Sequence, residues 1–198
     1  TLKAWTLDTL TAGGALYRDH EPYNNLSSKN NPGDTSFIVC AGPLNGVRNV
    51  GGDNADYGTI EEFLFSLSRC GINDSLVVRL APGSYPPFVM PEVDGLTEQH
   101  YIVFEPATSN VTLYASAATG AQNIVDLTNV SNIRFRNINF VRRGGALANM
   151  VIMAEGGSNY RFDNCRFIDS LVASVASMRI GCMINSGYAN NVTVDGCE

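Results

Sequence analysis

Histidine, lysine and tryptophan are almost missing from this chain, and each shortage closes off a line of chemistry. The only histidines are His20 and His100. Neither has a nearby carboxylate pair positioned for acid–base work, so histidine-based catalysis has little to build on. The single tryptophan, Trp5, lies well upstream of the regular part of the sequence. Two lysines accompany eleven arginines, and charged residues make up only 16% of the chain, below the quarter or so of a typical domain. The net charge of −6 leaves no basic face for a nucleic-acid partner. No stretch approaches the ~18 consecutive apolar residues of a membrane span. The five cysteines, Cys40, Cys70, Cys165, Cys182 and Cys197, form no CxxC pair, so no structural zinc site is expected. No cofactor is called for either. Glycine, at 19 residues, is plentiful together with Asn and Ser, the residues of tight corners.

Those corners recur. One anchor column runs Val77, Tyr101, Ile124, Met150, Cys182, and a second runs Phe88, Val111, Ile133, Tyr160, Val192, with steps of 22 to 32 residues that lengthen together. The pattern predicts a repeat of two short strands joined by a turn. A unit of that size cannot bury its own apolar face, so successive copies must stack. The expected fold is all-β: a right-handed parallel β-helix of about five coils over residues 76–197, with an N-terminal capping helix.

The clearest rungs are residues 132–140, 159–167 and 191–198. Each alternates apolar and polar residues, the two-residue period of a half-buried strand. The alternation slips by one at Asn137, Asn164 and Gly196, residue types that tolerate left-handed backbone angles. Each slip therefore marks a corner between two sheets. Inward columns become Ile133/Tyr160/Val192, Phe135/Phe162/Val194 and Ile138/Cys165/Cys197. An antiparallel sandwich would also give short strands, but it does not require three slips at one point of the repeat.

A helix is predicted near 59–70. Thr59-Ile60-Glu61-Glu62 has the form of a capping box, Ile60, Phe63, Leu64 and Leu67 fall on one helical face, and Gly71 is placed to end the helix. An open solenoid end exposes unpaired strand edges, and this helix is expected to cover it. Residues 1–50 are expected to be an irregular lead-in, with Ser36–Cys40 as one strand. Residues 51–198 are expected to form the β-helix. Glu198 falls inside a rung without a closing cap, so further rungs are expected beyond it. Cys165 and Cys197 share an inward column one rung apart, a spacing that permits a disulfide, although stacked thiols in a dry core are the commoner outcome. A bond between Cys40 and Cys70 would tie the lead-in to the cap.

Asp56-Tyr57-Gly58-Thr59-Ile60-Glu61-Glu62, followed by Ser75-Leu76-Val77-Val78-Arg79-Leu80-Ala81-Pro82-Gly83-Ser84-Tyr85, resembles the entry of pectin-lyase-like right-handed β-helix proteins. Leu67-Ser68-Arg69-Cys70-Gly71-Ile72 and Ser109-Asn110-Val111-Thr112-Leu113 bring the match nearer to large secreted surface proteins of Bacteroidetes. The resemblance covers about residues 50–198. It implies a secreted or cell-surface location, export by a type IX secretion apparatus, and surface glycans or another cell-surface protein as partners. It also implies O-glycans at Asp-Ser/Thr-aliphatic triplets, which would place them on Thr9, Ser75 and Ser170. The superfamily holds lyases, hydrolases, esterases and adhesin-like proteins, so it does not fix an activity.

Catalytic residues are harder to find. The outward column Arg136/Asp163/Asp195 stacks two carboxylates beside an arginine. Calcium wants six or more oxygen ligands, so an ion pair within the column is the simpler reading. A polygalacturonase-like site would need paired Asp and a His motif, and an esterase-like site two Asp, a Gln and an Arg in a characteristic run. Neither pattern is found, and no catalytic residue is assigned. The sequence alone favours a non-catalytic surface protein, an adhesin-like or structural stalk inactive on polygalacturonate. The alternative is a polysaccharide lyase or hydrolase with its catalytic rungs beyond Glu198.

Overall fold

A computed structural model gives the fold and describes residues 40, 42–116, 123–143, 151–153, 157–169, 182–184 and 190–198. The chain divides into two units, Thr1–Pro43 and Leu44–Glu198, and every element described lies in the second. In chain order these are β1 (Leu44–Val50), α1 (Ile60–Cys70), β2 (Ile72–Leu80), β3 (Gly83–Tyr85), β4 (Phe88–Val89), β5 (Ile102–Pro106) and β6 (Val111–Ser116). There follow β7 (Val125–Asp126), β8 (Ile133–Arg136), β9 (Asn139–Arg143), β10 (Val151–Met153), β11 (Ser158–Asp163), β12 (Arg166–Asp169), β13 (Cys182–Ile184) and β14 (Asn190–Asp195).

Every described pairing is parallel, and the strands sort into three sheets. The first runs β1-β2-β5-β8-β11-β14, the second β3-β6-β9-β12 and the third β4-β7-β10-β13. The chain visits the three sheets in turn and then climbs one strand, which is a right-handed parallel β-helix. Five successive strands of the first sheet, from β2 to β14, delimit about four complete coils.

Its core is built of like residues stacked on like. Val78, Phe104, Phe135, Phe162 and Val194 are in register through the first sheet. The Phe104–Phe135 and Phe135–Phe162 rings stack at 5.3 and 5.5 Å, nearly parallel. Parallel strands lie about 4.8 Å apart, so an aromatic repeated at one point of the coil stacks without further adjustment. On the second sheet Phe140 and Phe167 stack at 5.0 Å. Leu76, Ile102, Ile133 and Tyr160 form a second buried column. Val194, in the last strand of the first sheet, is 54% exposed.

The corners fall where the alternation slips. Asn137, Asn164 and Gly196 have φ of 55°, 51° and 61°. A second asparagine corner was not anticipated: Asn132, Asn159 and Asn191 also have positive φ. Their amides are linked, Asn191 Nδ2 donating to Asn159 Oδ1 and Asn159 Nδ2 to Asn132 Oδ1, both at 2.9 Å.

Helix α1 is capped as its sequence requires. The Thr59 hydroxyl accepts from the Glu62 amide at 3.2 Å, and the Glu62 carboxylate accepts from the Thr59 amide at 3.3 Å. Ile60, Phe63, Leu64 and Leu67 are buried. Phe63 meets Phe104 edge-on at 6.1 Å, so the helix packs where the phenylalanine stack begins. Gly71 ends it at φ 59°, and a Cβ there would come within 2.7 Å of the Asp94 carbonyl.

Four expectations need correction. Each coil carries three strands rather than two. The anchor columns cross between sheets: Phe88, Val111 and Ile133 belong to the third, second and first sheets, and Val77 pairs with Val103 rather than lying opposite Tyr101. All three sheets share one alternation, so a step of roughly 23 residues laid one sheet over another. Tyr160 and Val192 do pair. The lead-in does not extend to residue 50, because β1 pairs with β2 from Leu44 to Val50. Among the described residues there are about four complete coils where about five were expected. The strand expected over Ser36–Cys40 lies, apart from Cys40, outside the described residues, as does Met150 of the first anchor column.

Candidate functional site

The outward face of the first sheet gathers most of the polar side chains whose positions can be related. Because inward residues alternate with outward ones, the registers define three outward columns. The first runs Ser75, Tyr101, Asn132, Asn159, Asn191. A second runs Val47, Val77, Val103, Arg134, Arg161, Thr193. The third runs Asn49, Arg79, Glu105, Arg136, Asp163, Asp195.

Charges alternate up the third column from Arg79 to Asp163, and Asp195 then repeats the negative sign. Glu105 lies between Arg79 Nε at 3.3 Å and Arg136 Nη1 at 3.0 Å. Arg136 therefore pairs downwards with Glu105, a residue the sequence reading did not single out, and not with Asp163. Asp163 is taken instead by Arg161 from the neighbouring column, whose Nε donates to Oδ1 at 2.7 Å and Oδ2 at 2.9 Å. A second nitrogen of the same guanidinium lies 3.6 Å from Asp195 Oδ2. The hydrogen bond to Asp163, then its charge, raise the Arg161 pKa above its ordinary value. Asp163 and Asp195 differ in access: their side chains are 14% and 72% exposed. No group of His, Cys, Asp and Glu suited to a metal ion occurs among the described residues.

At the starting ends of these strands the face dips into a cleft of about 270 Å³ lined by Glu98, Tyr101, Asn132, Arg134, Asn159 and Asn191. The Arg134 guanidinium lies over the Tyr101 ring, 3.5 Å from its centroid. The sequence could not show this cleft. Its residues come from four successive coils, and only the true register makes them neighbours.

Inside the barrel, Cys165 and Cys197 are in adjacent coils and both are free. The Cys165 amide donates to Cys197 Sγ at 3.2 Å. Burial pushes the Cys165 thiol up to about 12. Of the two outcomes the sequence left open, stacked thiols are the one observed. Cys40 and Cys70 are each disulfide-bonded. Ser75 lies within β2, and its hydroxyl donates to the Gln99 carbonyl at 3.0 Å. Thr9 and Ser170 lie outside the described residues. No helix among the described residues is long and apolar enough to cross a membrane.

No protein-family model matches the sequence, and no curated protein matches it. Among solved structures the chain is similar to the pectin methylesterase from Aspergillus niger in deglycosylated form. The TM-score is 0.52 at 19% identity, over 78% of this chain and 56% of that one. The chain thus spans little more than half the length of that structure. At this identity the likeness establishes the fold, a right-handed parallel β-helix, and nothing finer.

Proposed function

We propose that the protein is a carbohydrate-active β-helix that lays an extended polysaccharide along the outward face of the first sheet. The observation that carries the reading is the pair Asp163 and Asp195, in register on adjacent strands and bridged by Arg161, on an open face of a fold shared with a pectin methylesterase. Two carboxylates of unequal exposure can divide the work of ester hydrolysis. Asp163, fixed by Arg161, attacks the ester carbonyl. A water held on Asp195 gives a proton to the departing alcohol, and the hydroxide so formed cleaves the acyl intermediate and frees Asp163. Arg161 stays beside the oxygen on which charge develops. The sequence alone favours a non-catalytic protein; the shared fold and this face shift the weight to the carbohydrate-active class.

The test is methanol release from methyl-esterified polygalacturonate. Wild-type protein is expected to release it, and Asp163→Asn and Asp195→Asn each to lose more than about 100-fold while still binding the polymer. Binding without methanol release in the wild type would overturn the catalytic part.

That outcome would favour a second reading, a non-catalytic surface stalk. The observation behind it is that Glu105 and Asp163 are already matched by arginines, a ladder complete without a substrate. Both readings place the protein outside the cell. That is the setting in which O-glycans on Thr9, Ser75 and Ser170, and pairing of Cys40 with Cys70, would be made; peptide mapping without reductant reads both. At Ser75 a glycan would have to displace the hydrogen bond to Gln99.

A further inference from the structure

We propose that Cys165 and Cys197 form a two-coordinate site for one soft monovalent cation, Cu(I), held between their sulfurs across two coils. The site lies inside the barrel, and it stands or falls independently of the polysaccharide reading. Three observations support it.

The first is equivalence. Cys165 Sγ lies 3.5 Å from the Phe135 carbonyl of the coil below and 3.6 Å from the Asp163 carbonyl of its own coil. Cys197 Sγ lies 3.4 Å from the Phe162 carbonyl and 3.5 Å from the Asp195 carbonyl. Phe135 is in register with Phe162, and Asp163 with Asp195. The two sulfurs therefore occupy the same place in successive coils, one coil step of about 4.8 Å apart.

The second is what that spacing admits. A disulfide needs its sulfurs about 2.05 Å apart, less than half the step, so closing one would draw the coils together or turn the side chains. A metal–thiolate bond is about 2.3 Å long, and two in line span roughly 4.5 Å. A linear sulfur–metal–sulfur bridge thus matches the coil step with little adjustment.

The third is the number and kind of ligands. No group of three or more His, Cys, Asp and Glu suited to an ion occurs among the described residues, so zinc, which wants four, has no full set. Cu(I) is satisfied by two ligands, and soft thiolates select it. Cys165 is fully buried, and its amide donates to Cys197 Sγ at 3.2 Å, a contact that steadies negative charge on a metal-bound sulfur. Half-buried Cys197 gives the ion its way in. On binding, two S–H bonds are replaced by two S–Cu bonds and two protons pass to solvent. No electron is transferred, and the bridge carries a single negative charge.

The experiment is native mass spectrometry of the intact chain with one equivalent of Cu(I), kept reduced by ascorbate under nitrogen, and with zinc chloride as the counterpart. One copper per chain with two hydrogens lost is expected, and no zinc. Cys165→Ser and Cys197→Ser should each lose the copper, whereas Cys182→Ser keeps it. X-ray absorption of the loaded wild type should show two sulfur neighbours in line and no bonded nitrogen or oxygen, a readout that stands even if a variant fails to fold. Wild type that takes up no copper, copper retained by Cys165→Ser or lost from Cys182→Ser, zinc bound as readily, or a spectrum with three or four ligands would each overturn the proposal.

Discussion

Cys165 is a thiol kept from reacting by its surroundings. It is fully buried, with its sulfur against the Phe135 and Asp163 carbonyls, and the thiolate form would have to exist there without water. Its pKa therefore rises from the ordinary 9.0 to about 12. Reactivity follows the thiolate, so Ellman's reagent at pH 8 should modify Cys197 in the native protein and leave Cys165 untouched until denaturant is added. Tryptic mapping of the labelled chain separates the two. A stability consequence follows with a definite sign. Between about pH 9 and 12 the unfolded chain loses this proton while the folded chain keeps it, so deprotonation favours unfolding. The thiol's contribution is intact below pH 9 and is lost as pH rises towards 12. Urea midpoints should hold steady from pH 6 to 8.5 and fall above 9, less steeply in Cys165→Ala. A native Cys165 that labels at pH 8, or the same slope in both proteins, would show that the site is wetter than described.

At the level of elements, local signals were legible and lateral ones were not. Helix α1 could be read to its ends, because a capping box, an apolar stripe and a terminal glycine are all contacts within a few residues. Thr59→Ala should accordingly lower stability by about 1 kcal/mol, while Thr59→Ser should be close to neutral, as judged by urea denaturation midpoints. The corners at Asn137, Asn164 and Gly196 were legible for the same reason: a slip in alternation is local. What lies one coil away was not. The third strand of each coil escaped because β4, β7, β10 and β13 are only two or three residues long, too short to show a period. Arg136 was matched with Asp163 because both are outward in adjacent rungs, and the coil below, with Glu105, was out of register. The cleft failed for a compound reason. It needs Tyr101 beside Asn132 and Arg134 beside Tyr101, and the anchor column had placed Tyr101 opposite Val77.

In the whole molecule, a parallel β-helix is close to one-dimensional. Each coil touches the coils above and below and little else, so stability is a sum of coil terms and nearest-neighbour terms. The phenylalanine stack tests this directly, because Phe104, Phe135 and Phe162 occupy one column in three successive coils. All three are fully buried. Phe162→Ala should cost about 3–5 kcal/mol, the lost transfer energy plus the cavity left between coils. Arg134→Ala, which gives up its place on the Tyr101 ring, should cost only about 1 kcal/mol. Replacing rings by leucine is gentler and suits a double-mutant cycle. Phe135→Leu and Phe162→Leu remove both faces of one ring contact at 5.5 Å, so their coupling should reach roughly 0.5–1.5 kcal/mol. Phe104→Leu and Phe162→Leu are two coils apart with Phe135 between them. Their effects should add to within about 0.5 kcal/mol. Equal coupling in the two cycles would mean that the column responds as one body, and the nearest-neighbour description of this solenoid would fail.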